Sequence, residues 1–490
     1  MGVHFLIWVS VLKAYGSFKC VYKIELYVMN DLSDKSEQKY SQRFFMSDQS
    51  VFAARFWCER TLGNRNCFTT VSLIQKTGSA LRQCGTFCIL PGNPWKQIRN
   101  MEFCLYAWGA NSYGQLGRGD AEDLSDPRRL GRLGAMPSVP LRVLRGGGGH
   151  TVAITEDGEV WSCGQNHRGQ LGLGHTSDVS TLHPGPALKQ RVVNVSCGWD
   201  FTLFLTDCGQ VLTCGSNAFG QLGVAKTSTH SAEPVRVESL GEPVVSVAAG
   251  LRHALAVTDS GCVYQWGLGL LTHARRAVGP NSVPLHFNSQ VPVRVPGFDH
   301  VTARTVAAGS AHCVCLAGGG DVFLWGSNKY GQLTTNDCFS TYPALLNRSL
   351  LDGEGATHVW SGWTHLVAKT ESGKVFTWGR GNYGQLGRTE PTNHSAVLQS
   401  DDSPVVEDVK EVSFPGKVDA LYGAEQIACG SEHNLAIVGN RLFSWGWNEH
   451  GMCGDGSQTD LPRPQPVSAL RPVVIGCGAG HSLALCAVAW

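Results

Sequence analysis

No apolar run in the 490 residues reaches the roughly 18 that a membrane-spanning helix needs, so no transmembrane segment is expected. Neither sign of charge prevails: 40 Lys and Arg stand against 39 Asp and Glu, a formal net charge of +1 with 16% charged residues. That balance supplies neither a basic domain for nucleic-acid phosphates nor an acidic tail. No Gly-x-x-x-x-Gly-Lys-Ser/Thr stretch occurs, which excludes a P-loop. The 18 cysteines are scattered, and Cys84/Cys88 and Cys313/Cys315 have no second pair at zinc-site spacing. They are expected to be small buried hydrophobes in a reducing compartment, with no metal and no cofactor bound. The segment FLIWVSVL (5–12) lacks the basic leader and cleavage site of a signal peptide.

Glycine is abundant, with 59 residues against 21 prolines, which suits many tight turns between short strands. Much of it belongs to a repeat. Gly-x-x-His-x-x-Ala-hydrophobic recurs as GGGGHTVAI (146–154), AGLRHALAV (249–257), AGSAHCVCL (308–316), SGWTHLVAK (361–369), CGSEHNLAI (429–437) and CGAGHSLAL (477–485). A further copy, CGWDFTLFL (197–205), has Phe201 in the histidine position. After each of the first six copies a second signature is expected, a hairpin such as TESGKV leading to Trp-Gly or Cys-Gly and then Gly-Gln-Leu-Gly. β-Branched runs such as VVNVS precede the histidine copies, completing a unit of four short strands in about 50 residues. GRGNYG (379–384) formally matches a dinucleotide fingerprint, but it is one copy of an interstrand loop and lacks the strand-to-helix context that fingerprint requires.

Such units predict an all-β, seven-bladed propeller over 102–490. The last histidine copy has no Trp-Gly strand after it, whereas CLYAWGANSYGQLG (104–117) has no histidine copy before it. The N-terminal strand of the repeat region is therefore expected to complete the last blade and close the ring. Residues 1–101 show no repeat and are expected to be a disordered extension or an extended gene model. The acidic DDSPVVEDVKE (401–411), in the insertion at 388–418, is expected to be a solvated loop.

His150, His253, His312, His365, His433 and His481 occur once per blade, too far apart to form one metal or catalytic site, and each is expected to hydrogen-bond backbone across a blade boundary. Trp108, Trp266, Trp325, Trp378 and Trp445 are expected to wedge between sheets. Loop residues that vary around the histidines, Trp199, Asp200, Arg252, Trp363, Thr364 and Glu432, mix aromatic area with charge and are expected to bind a protein partner. Trp199 and Trp363 fall in nonadjacent blades, which predicts no coupled tryptophan cluster of the kind light-sensing propellers use.

The pairing of Gly-x-x-His-x-x-Ala-Leu with Trp-Gly-x-Asn-x-x-Gly-Gln-Leu-Gly resembles the repeat of the regulator of chromosome condensation superfamily. AWGANSYGQLG (107–117), SGWTHLVA, SWGWNEHGMCGDG (444–456) and GCGAGHSLALC (476–486) are similar to its secretion-linked exchange factors. The resemblance implies a non-enzymatic regulator that exchanges nucleotide on, or binds, a small GTPase or an exocyst-like secretory-tethering protein. The implied setting is the cytoplasm, with the nucleus as a second compartment, and without nucleic-acid contact or membrane insertion. A scaffold or ubiquitin-ligase adaptor without exchange activity is the alternative. In the chromosome regulator a small wedge follows the third Trp-Gly-type strand; here LTCGSNAFGQLG (212–223) keeps the ordinary loop length, which implies weak exchange toward Ran.

Overall fold

The computed structural model describes residues 103–487 apart from 131–139, 187, 226–227, 389–413 and 468–469, and within Met1–Met101 the backbone of the strands His4–Tyr15, Lys19–Met29, Gln38–Met46, Phe52–Trp57, Thr69–Thr77 and Ala80–Ile89, which form two three-stranded antiparallel sheets. The expectation for the acidic 401–411 segment lies outside the described residues. Within Glu102–Trp490 the chain forms seven four-stranded antiparallel sheets arranged as propeller blades. Blade 1 starts at Leu141, blade 2 at Val192, blade 3 at Val244, blade 4 at Ala303, blade 5 at Ala356 and blade 6 at Gln426. Blade 7 takes Pro472–Cys477 and His481–Ala487 from the end of the chain and Phe103–Gly109 and Leu124–Arg129 from the start of the repeat region. The closing pair runs antiparallel from His481 opposite Gly109 to Ala487 opposite Phe103, so the expected ring closure is present.

Blade 5 shows how the repeat dictates this structure. Its second and third strands, His365–Thr370 and Val375–Gly379, lie between neighbouring sheets and are buried almost throughout, which is why they read as near-continuous apolar runs. In the register His365 faces Gly379 of the Trp-Gly pair. Gly379 has φ 101°, and a Cβ there would come within 2.5 Å of the Thr364 carbonyl and 2.9 Å of the His365 Cα. Only glycine lets the strand leave its partner here.

The blade interfaces share one hydrogen-bond scheme, and it corrects the expectation for the histidines. Their partners are side chains of the next blade, not backbone. His150 Nε2 lies 3.0 Å from Thr202 Oγ1, His365 Nε2 2.7 Å from Asn434 Oδ1, His433 Nε2 3.0 Å from Ser482 Oγ and His481 Nε2 2.8 Å from Thr151 Oγ1. In each case the partner immediately follows the histidine or Phe201 of the next blade. The partner then donates to a carbonyl of the first blade: Thr202 to Gln170, Asn434 to Gln385, Ser482 to Met452 and Thr151 to Gln115. The buried tryptophans converge on the same acceptors, Trp445 Nε1 donating to the Gln385 carbonyl and Trp108 Nε1 to that of Met452. Cys163 and Cys214 replace tryptophan and point their thiols at Gln115 and Gln170. Burial pushes the Cys163 thiol up to about 12, which keeps it a neutral packing group.

Departures from the repeat come in matched pairs. Leu366 cannot accept from His312, and His312 bonds Ser361 Oγ at 2.8 Å instead. Ala254 has no polar side chain to offer, and the residue facing it from blade 2 is Phe201, so both members of that pair are apolar.

Blade 3 departs furthest. After Trp266-Gly267 it has no Gly-Gln-Leu-Gly, contrary to the expectation of that signature after every copy; residues 268–292 instead form an insertion with the helix Leu271–Val278 and three 3-10 turns. The interface acceptor lost with that turn is replaced by the Gln265 side chain, whose Oε1 accepts from Trp325 Nε1 at 2.8 Å. Blade 2 keeps its ordinary loop at 212–223, as expected, and the insertion projects from the next blade.

Candidate functional site

An antiparallel meander places its first-to-second and third-to-fourth strand connections at the same end of the sheet. The Gly-x-x-His loops, the Gly-Gln-Leu-Gly loops and the blade 3 insertion therefore share one face of the propeller. On that face a closed circle of backbone hydrogen bonds surrounds the central channel. Gly148 N donates to Trp199 O, Trp199 N to Leu251 O, Leu251 N to Gly309 O, Ser310 N to Trp363 O, Trp363 N to Ser431 O, Ser431 N to Ala479 O and Ala479 N to Gly147 O, at 2.9–3.3 Å. Each blade hands one bond to the next, so the loops form a rigid collar.

Trp199 and Trp363 stand on this collar in blades 2 and 5. Their ring centroids are 5.4 Å apart with the planes tilted by 52°, so the two side chains meet although their blades are not adjacent. This corrects the expectation of no tryptophan cluster: blade order separates the loops around the ring, but indoles are long enough to meet across it. Trp199 is 40% exposed and Trp363 half-buried. Gly148 makes room for Trp199, since a Cβ there would lie 2.6 Å from its carbonyl and 2.8 Å from its ring.

The remaining expected residues separate by burial. Arg252 is exposed, with its guanidinium 4.5 Å from the Phe219 ring centroid. Asp200 is half-buried beside Gln221. Thr364 and Glu432 are buried, at 8% and 6% exposure, and are not surface contacts. The Glu432 carboxylate accepts from Thr364 Oγ1 and from Gln385 Nε2, each at 2.7 Å, and has Arg380 Nη1 at 3.9 Å. These bonds and the nearby cation offset the cost of burying its charge. Thr364 and Glu432 thus brace the blade 5/6 boundary beneath the face.

Above them is a row of residues that the sequence reading missed. Arg380 lies between the rings of Tyr330 and Tyr383, 4.9 and 4.6 Å from their centroids. Tyr383 neighbours Trp447, and Trp447 meets His450 edge-on at 5.8 Å. Their signal was available: Tyr113, Phe219, Tyr330 and Tyr383 each stand two residues before the glutamine of a Gly-Gln-Leu motif. The structural histidines contribute no acid-base chemistry. Burial holds His150, His312 and His433 at about 3 and His253 and His481 at about 4, and it lowers His365 as well. The face combines a rigid aromatic centre with a charged surround.

The RCC1-like domain model matches residues 104–484. The chain is 48% identical over 392 residues to the secretion-regulating guanine nucleotide exchange factor of Mus musculus, covering 78% of this chain and 83% of that protein. It is 32% identical over 379 residues to the ultraviolet-B receptor UVR8 of Arabidopsis thaliana, covering 76% and 79%. Among solved structures, Prp20p from Saccharomyces cerevisiae, described with its binding properties to Gsp1p and histones, superposes with a TM-score of 0.65 at 22% identity, covering 81% of this chain and 95% of that one. On its repeat, its seven closed blades and these matches, the chain belongs to the RCC1-like domain family.

Proposed function

We propose that this protein is a regulatory propeller that binds a small GTPase through the face centred on Trp199 and Trp363 and promotes release of its nucleotide in a secretory process. The observation that carries the reading is the 48% identity, along almost the whole propeller, to a protein named as a secretion-regulating guanine nucleotide exchange factor. The geometry suits the task. Exchange needs no covalent step; it needs a surface that binds the nucleotide-free GTPase more tightly than the loaded form, so that binding and nucleotide loss are coupled. A rigid collar presenting two indoles, with Arg252 and Asp200 beside them, loses little conformational entropy on binding and offers the aromatic anchors typical of interface hot spots. Thr364 and Glu432 support that surface from below. A secretory-tethering protein is the second partner the reading admits, and the cytoplasm is the compartment it favours.

The experiment is capture of small GTPases on the full chain in nucleotide-free, GDP-loaded and GTP-loaded forms, followed by release of a fluorescent nucleotide from each captured GTPase. Preference for the nucleotide-free form together with accelerated release is expected. Equal capture of all forms without release would make the protein a scaffold instead.

A further inference from the structure

The blade 3 insertion gives this face a basic and apolar sector that the GTPase reading does not use. Between Asp259 and Asp299 the sequence contains no acidic residue, whereas the helix Leu271–Val278 carries His273, Arg275 and Arg276. The insertion is fixed to the face at its start, where Leu268 N donates to Phe219 O at 2.7 Å and Gly269 N to Arg252 O at 3.2 Å. It is fixed again on blade 4, where Phe287 packs against Phe339 and the His286 ring nitrogen lies 3.1 Å from the Thr341 carbonyl oxygen. Ala274 is the buried residue of the helix, and Arg275 and Arg276 point outward. Arg276 and Lys329 of blade 4 are close enough to His273 to depress its imidazole, after partial burial as the larger cause. Arg275, Arg276 and Lys329 therefore form an exposed cationic band across blades 3 and 4. Carboxylates of this face stand on other blades, among them Asp200 of blade 2, Asp337 of blade 4, Glu449 of blade 6 and Asp120, Glu122 and Asp123 of blade 7, and none on the insertion. Beside the band, Val278, Leu285 and Tyr342 are exposed at 36%, 64% and 57%.

We infer that the cationic band and its apolar flank are a docking surface for an acidic, leucine-bearing segment of a partner protein. Charge complementarity selects the acidic segment. The apolar flank of Val278, Leu285 and Tyr342, which phosphates cannot use, selects protein over nucleic acid.

The test uses the full chain and a fluorescein-labelled 16-residue peptide of alternating glutamate and leucine, read by anisotropy at low salt, with a 16-nucleotide oligothymidine as the competing polyanion. The variants are R275E/R276E and K329E, each checked for unchanged thermal unfolding, with E449K on blade 6 as the control. Tenfold or greater loss of peptide affinity in R275E/R276E, a loss in K329E and no loss in E449K are expected. A smaller change in R275E/R276E, or tighter binding of the oligonucleotide than of the peptide, overturns the inference; if one variant fails to fold, the other decides. The probe contains no GTPase, so its failure would leave the proposed exchange function standing.

Discussion

At the scale of single residues, the pairing of Phe201 with Ala254 is the sharpest evidence that the interface scheme is energetic and not decorative. A buried histidine opposite Ala254 would lack the partner its counterparts have, and an orphaned buried polar group costs about 1–3 kcal/mol. Phe201→His alone should therefore destabilise the protein by about that much, and adding Ala254→Ser should recover part of the loss. Urea unfolding of the two single variants and the double variant checks it; additive losses would deny the coupling. The same logic makes His365→Ala destabilising by about 1–3 kcal/mol, because Asn434 loses its partner, with no separate effect on partner binding once folded protein is compared. Buried histidines also set an acid limit. Their folded values of about 3 to 4 lie below the unfolded value of 6.5, so unfolding takes up protons as the pH falls. Stability is complete above about pH 6.5 and is lost below it by up to about 1.4 kcal/mol per pH unit for each histidine. The urea midpoint should fall steeply between pH 7 and pH 5; a flat profile would mean the rings protonate in place.

At the scale of elements, the strand Phe103–Gly109 closes the ring. A chain beginning at Met101 keeps that strand, whereas one beginning at Gly119 leaves His481–Ala487 as an unpaired edge between neighbouring sheets. The first should match the thermal unfolding of the full chain, and the second should unfold earlier or aggregate; equal midpoints for both would refute the closure. This element was legible in the sequence because each end of the repeat region lacks what the other supplies. The insertion was equally legible, since Trp266-Gly267 is not followed by Gly-Gln-Leu-Gly. The histidine partners were harder to foresee. They lie one position after the histidine in the next blade, about 50 residues away, and become visible only once neighbouring copies are stacked in register. Contact between Trp199 and Trp363 was not legible at all, because it depends on how far two indoles reach over the channel. The burial of Glu432 likewise follows from Thr364 and Gln385 turning toward it, which no local pattern encodes.

At the scale of the whole molecule, seven near-equivalent blades build a collar closed by one backbone bond between each pair of neighbouring loops, leaving the side chains of those loops free to vary. The proposed function rests on that variation: the indoles of blades 2 and 5, the arginine of blade 3 and the aromatic row above Glu432. The central claim is that the Trp199 and Trp363 pair anchors the GTPase. The most direct measurement is titration of the captured, nucleotide-free GTPase against the wild-type chain and against W199A/W363A, with folding of the variant verified by thermal unfolding. The account predicts a loss of about 2 kcal/mol or more, roughly thirtyfold in Kd, with the ring intact. An unchanged Kd for the folded variant would contradict it and place the binding surface elsewhere on the propeller.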